Sequence, residues 1–128
     1  MPDQPSFFDR LLPTLPDGHV TAVQVGLHWN AVVVDLDGEL RCGLASSVND
    51  ASHAHDGEPA VRQAGCLTDR PAADLAALVH SSSPTEVSIG LAAINALLPR
   101  NCEHAENLNA AEVIARCGVG KNVALIGH

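Results

Sequence analysis

Aromatic side chains are nearly absent: they make up 2% of the 128 residues, with two phenylalanines, one tryptophan and no tyrosine. A core must therefore be built from Val, Leu, Ile and Ala, whose small volumes let elements approach closely and give thin layers. Basic residues are scarce as well. Seven Lys and Arg against fifteen Asp and Glu leave a formal charge of −8, which opposes phosphate backbones and argues against nucleic acid as a partner. No apolar run approaches the roughly 20 residues that a membrane span needs, and acidic Asp3 and Asp9 stand where an export signal would be basic. A soluble, unexported, cytoplasmic protein is expected. Cys42, Cys66, Cys102 and Cys117 have no Cys-x-x-Cys spacing, so reduced thiols are the expectation.

Catalytic signatures are missing too. There is no Gly-x-Ser-x-Gly, and Ser46, Ser47 and Ser88 have no base identifiable in the sequence, so nucleophilic catalysis finds little support. Gly118-Val119-Gly120-Lys121 follows a predicted helix and opens a predicted strand, the reverse of a phosphate loop, and no Ser or Thr follows the lysine.

What the chain does contain is a well-marked helix over residues 83–98. Ser83 can cap its first amides, Pro84 suits the first helical position, and Glu86 would complete a capping box. Val87, Leu91, Ile94 and Leu98 form an apolar stripe, and Ser88, Ala92 and Asn95 form a second, small and partly polar side. Such a helix lies between two layers. Upstream, residues 6–12 read as a short amphipathic helix that docks through Phe7, Phe8, Leu11 and Leu12 and stops at Pro13. Residues 19–26, 31–36 and 39–45 read as strands, the last two joined by Asp37-Gly38, a strong type I′ hairpin signal. In the third strand Leu40, Cys42 and Leu44 alternate with Glu39, Arg41 and Gly43, so the former are expected on the core face.

Residues 46–68 have neither helical nor strand period and form a long loop, a place to look for chemistry. A helix capped by Thr68 or Asp69 then carries Leu75, Leu78 and Val79, and a last helix runs from the Asn109 cap to Gly118 with Val113, Ile114 and Cys117 on its apolar side. Residues 122–126 read as a buried strand. The length fits one main domain, placed at residues 1–121 with the strand beyond it, and the order of elements implies an α+β fold: a three-stranded antiparallel meander, a helical layer and one further strand.

Within the long loop, His53, His55 and Asp56 bring two imidazoles and a carboxylate together, donors suited to a divalent transition metal, although solvated loop residues have the same look. Cys102-Glu103-His104 is a second such group, on a linker. Asn95 either bonds loop backbone or faces a ligand cleft.

Residues 25–32 (VGLHWNAV), 43–47 (GLASS), 88–96 (SIGLAAINA) and 120–128 (GKNVALIGH), in that order, resemble a family of bacterial and archaeal proteins of unknown function described as heavy-metal chelation proteins. The resemblance implies an N-terminal domain like that of enolase, followed by a Rossmann-like domain that would begin near Asn122, with a ligand site in the cleft between them. It places Ser46, Ser47, Ser88 and Asn95 on this domain's side of that cleft, while His53 and His55 fall outside the matching stretches. Three functions follow as expectations: a binding module for a metal ion or metal-bearing small molecule, an enzyme component completed by a separate Rossmann-like protein, or a structural and oligomerisation domain. A terminal strand at 122–126 would leave backbone groups unpaired, from which a homodimer is expected.

Overall fold

The structure is a computed structural model that describes residues 4–48, 57 and 59–126. Two compact units, residues 1–98 and 99–128, are taken in turn.

The first unit is α+β. Helix α1 (Phe7–Leu11) runs into a 3-10 turn (Leu12–Thr14) and is followed by strands β1 (His19–Val25), β2 (Trp29–Leu36) and β3 (Glu39–Ser46). Helix α2 (Ala72–Ala76), continued by a 3-10 turn (Ala77–His80), leads to the long helix α3 (Pro84–Leu97). The strands form the expected antiparallel meander in the order β1-β2-β3. Asp37 (φ 53°) and Gly38 (φ 90°) both adopt the left-handed region that a type I′ turn requires. Asp35 closes the turn by accepting the Gly38 amide at 2.7 Å.

Helix α3 lies between the sheet and α2, as its two-sided pattern predicts. It approaches the sheet and the 3-10 turn after α2 so closely that one residue at each contact must be glycine. A Cβ on Gly43 of β3 would lie 2.0 Å from the Ala92 carbonyl oxygen, and one on Gly90 would lie 2.6 Å from the Val79 amide nitrogen. The core is accordingly small-volume: Val20, Val32 and Val34 of the sheet, Ala72, Leu75 and Ala76 of α2, and Ile89, Ala92, Ala93, Ala96 and Leu97 of α3. Phe8, Leu11 and Leu12 dock against it, and the Phe8 ring meets His80 edge-on.

Several expectations change. The faces of β3 are reversed: Gly43 and Ala45 point into the core, while Leu40, Cys42 and Leu44 are exposed on the far side of the sheet. The cause is α3, which needs the small residues beneath it and leaves the larger ones no room there. The same contact puts Ser88, Ala92 and Ala96 against the sheet, while Val87, Leu91 and Leu98 are only half-buried. Asp69 does not cap a helix. It takes a positive φ of 58°, its amide donates to the Val20 carbonyl of β1 and that of Ala72 to the Gly18 carbonyl just before the strand, and α2 starts only at Ala72.

The second unit contains helix α4 (Ala110–Cys117), capped by Asn109, which accepts the Ala111 amide, and closed at Gly118, whose amide returns to the Ile114 carbonyl. Residues 122–126 do not form a strand. A strand exists only by pairing, and Val123, Leu125 and Ile126 instead stand exposed. Cys117, expected on a core face, is exposed as well.

Candidate functional site

Of the polar residues singled out in the sequence, Ser46, Ser47, Ser88 and Asn95 lie where α3 meets the sheet and the start of the long loop. Asn30, on β2, is 1% exposed although its neighbours on that face are Val32 and Val34. A buried amide must find partners, and Asn30 finds them on three elements. Its Nδ2 donates to Ser88 Oγ at 2.8 Å, and its Oδ1 accepts the Gly26 amide at 3.1 Å. Ser47 Oγ lies 2.7 Å from the Gly26 carbonyl and 3.0 Å from Asn30 Oδ1. Ser88 passes the chain on by donating to the Ser46 carbonyl at 2.7 Å. About two turns further along α3, Asn95 donates to the Leu44 carbonyl at 2.8 Å. Ser88 and Asn95 thus each satisfy a carbonyl of β3, which is an edge strand of the sheet.

A second cluster sits at the N-terminus of α3. Ser83 caps the helix by accepting the Glu86 amide. Glu86 does not reciprocate as a capping box would. It is 3% exposed, and its carboxylate accepts the Arg62 amide at 2.7 Å and the Ser81 hydroxyl. Burial pushes the Glu86 carboxyl up, but the Ser81 and Arg62 hydrogen bonds and the Arg62 charge outweigh it and hold the group below its ordinary value. Ser83 Oγ donates to the Ala60 carbonyl, and the Arg62 guanidinium reaches Ser82 at 3.0 Å.

Together the clusters fasten both ends of the long loop to α3. The chain leaves the sheet at Ser46 and Ser47, held by Ser88 and Asn30, and returns at Ala60 and Arg62, held by Ser83 and Glu86. Ser83 and Ser88 are five positions apart, so the two roots lie within about 7.5 Å along the helix axis. Between the roots the sequence carries His53, His55 and Asp56, which lie outside the described residues.

A family profile described as "Putative heavy-metal chelation" matches residues 8–98, from α1 to the end of α3. The chain belongs to this family. Comparison with curated proteins and with solved structures gives no match.

Among the described residues, no group of three His, Cys, Asp or Glu side chains could hold a metal ion. The nearest arrangements are two-group pairs at the surface, His80 with Asp9 at 3.3 Å and His19 with Asp69 at 3.8 Å. Tetrahedral ligation needs more than two donors, so the described residues alone do not fit a metal site. Cys102, Glu103 and His104 are exposed and form no such group. A shallow cleft of about 250 Å³ beside α2 is lined by Arg62, Arg70, Asp74 and Glu86. Its charges are already partnered, Arg70 with Asp74 and Gln63, and Arg62 with Ser82.

Sequence reasoning missed Asn30, Arg62 and Ser81. Asn30 carried a readable signal, since period-2 alternation puts it on the face of Val32 and Val34, where a polar residue must be satisfied. Arg62 contributes a backbone amide to Glu86, which no side-chain pattern reveals.

Proposed function

We propose that this chain binds a divalent transition metal ion, or a small molecule carrying one, through donors between the two loop roots, and that it has no catalytic activity alone. The observation that supports this reading is the pinning of both roots on α3. A loop closed in advance by six hydrogen-bonding partners loses less entropy when it gathers ligands. His53, His55 and Asp56 are the donors assigned. Ser47, Ser88 and Asn30 act as positioning residues, holding the loop root instead of touching the ligand, while Asn95 and the Ser46 carbonyl brace the adjoining strand. The family description agrees with a metal. The resemblance further suggests an enolase N-terminal-like description of this α+β unit and a Rossmann-like partner, for which co-purification is the check.

Calorimetric titration of untagged protein with Zn, Ni, Co, Cu and Fe(II) tests the proposal. A saturable site in the micromolar range, lost in a His53→Ala/His55→Ala variant and weakened in Ser88→Ala, is the expected result. Absence of any such site for all five metals overturns it. Because imidazole ligates only when neutral, binding weakens as pH falls below about 6.5.

A further inference from the structure

We infer that His28 is a fourth metal donor, supplied by the fixed body of the first unit to complete the three assigned to the loop. The inference rests on the metal-binding function proposed for the loop and adds to it a ligand from the sheet.

The number of donors calls for one more. His53, His55 and Asp56 offer two imidazoles and a carboxylate. A tetrahedral ion bound without catalysis is closed by four protein ligands, whereas three leave a position open to water. A donor outside the loop has to stand close to a root, where the loop's own donors can return to it.

His28 stands at the first root. It lies in the turn between β1 and β2, and its carbonyl accepts the amide of Ser47, the residue where the chain leaves the sheet, at 2.9 Å. The turn itself is held firmly. The Gly26 amide donates to the Trp29 carbonyl and to Asn30 Oδ1, each at 3.1 Å, and the Gly26 carbonyl accepts Ser47 Oγ at 2.7 Å. A Cβ on Gly26 would lie 2.5 Å from the Trp29 carbonyl oxygen, so the turn closes as tightly as its backbone allows. A donor carried by such a turn is in place before the ion arrives, which lowers the ordering cost of binding. Six residues separate Ser47 from His53, a span of at most about 20 Å when extended, so the loop has ample chain to return to His28.

Position and partners set the other described histidines of this unit apart. His19 pairs with Asp35 in the sheet while Trp29 pairs with Ser46, so His19 stands at the opposite end of the strands from the first root, and its Nε2 is 3.8 Å from Asp69. His80 lies 3.3 Å from Asp9 and meets the Phe8 ring edge-on. His28 is exposed and belongs to neither pair.

Calorimetric titration of the untagged full chain with zinc at neutral pH, beside His28→Ala, His28→Cys and His19→Ala, is the test. One ion per chain is expected. His28→Ala weakens its binding on the order of a hundredfold and leaves the thermal midpoint of the metal-free protein unchanged. His28→Cys, whose thiolate also ligates zinc, recovers affinity to within about tenfold of the natural protein, which a merely structural role would not give. His19→Ala binds as the natural chain does. Zinc held as tightly by His28→Ala as by the natural chain overturns the inference and leaves the loop donors standing. So do equal losses in His28→Ala and His28→Cys, and so does a second ion lost with His28 while the first remains, which would give His28 a site of its own. A natural chain without any saturable site fails the loop reading, and this inference with it.

Discussion

At the scale of single residues, buried polar groups decide more than catalytic-looking ones. Glu86 has its folded-state pKa below its ordinary value of 4.5, so the unfolded chain takes up its proton first as pH falls. The stability it contributes is complete above 4.5 and disappears as pH drops through the lower folded value. Thermal midpoints measured between about pH 6 and 3 should therefore fall more steeply for the natural protein than for Glu86→Gln. Asn30→Ala removes a donor and an acceptor from a network closed within the protein: Ser88 Oγ loses the amide that donates to it and Ser47 Oγ loses an acceptor, while the Gly26 amide keeps only the Trp29 carbonyl. A loss of about 1–3 kcal/mol is expected in urea unfolding. Gly43→Ala meets backbone atoms of α3, which cannot rotate aside, and should cost as much or more, about 3 kcal/mol. Of these three positions only Glu86 stood out in the sequence, and for a different reason, as half of a capping box.

Among elements, those specified by local chemistry were legible and those specified by contact were not. The caps Ser83 and Asn109, the stop at Gly118 and the Asp37-Gly38 hairpin follow from backbone preferences within a few residues, and each occurs. Gly38→Val would force a β-branched residue into the left-handed region. A destabilisation of about 1–2 kcal/mol, measured by thermal unfolding, is expected. The faces of β3 were not legible, because Leu40, Cys42 and Leu44 alternate as convincingly as any buried stripe. What reverses them is the distance of α3, which only small residues at Gly43 and Ala45 permit. Residues 122–126 have the composition of a strand, but pairing is a property of two segments and no local pattern supplies the second.

For the whole molecule, the acidic composition sets its behaviour in solution. With an isoelectric point of about 5.1 from its composition, turbidity should be greatest near pH 5. Every residue of the core cluster lies between Val20 and Leu97, and the family match ends one residue later. A chain ending at Leu98 should therefore unfold cooperatively, as followed by circular dichroism. The donors proposed for a metal, His53, His55 and Asp56, come from the sequence, whereas the anchoring of the loop roots on either side was not legible there, since it depends on Ser83, Glu86 and Ser88 meeting residues 23, 24 and 42 positions away. That anchoring makes the segment exchangeable. With both roots fixed to one helix, doubling the length between them adds only about 0.6 kcal/mol of closure entropy. The stretch between Ser47 and Ala60 should therefore act as a cassette: foreign peptides of quite different length could be spliced there and displayed on an otherwise unchanged scaffold.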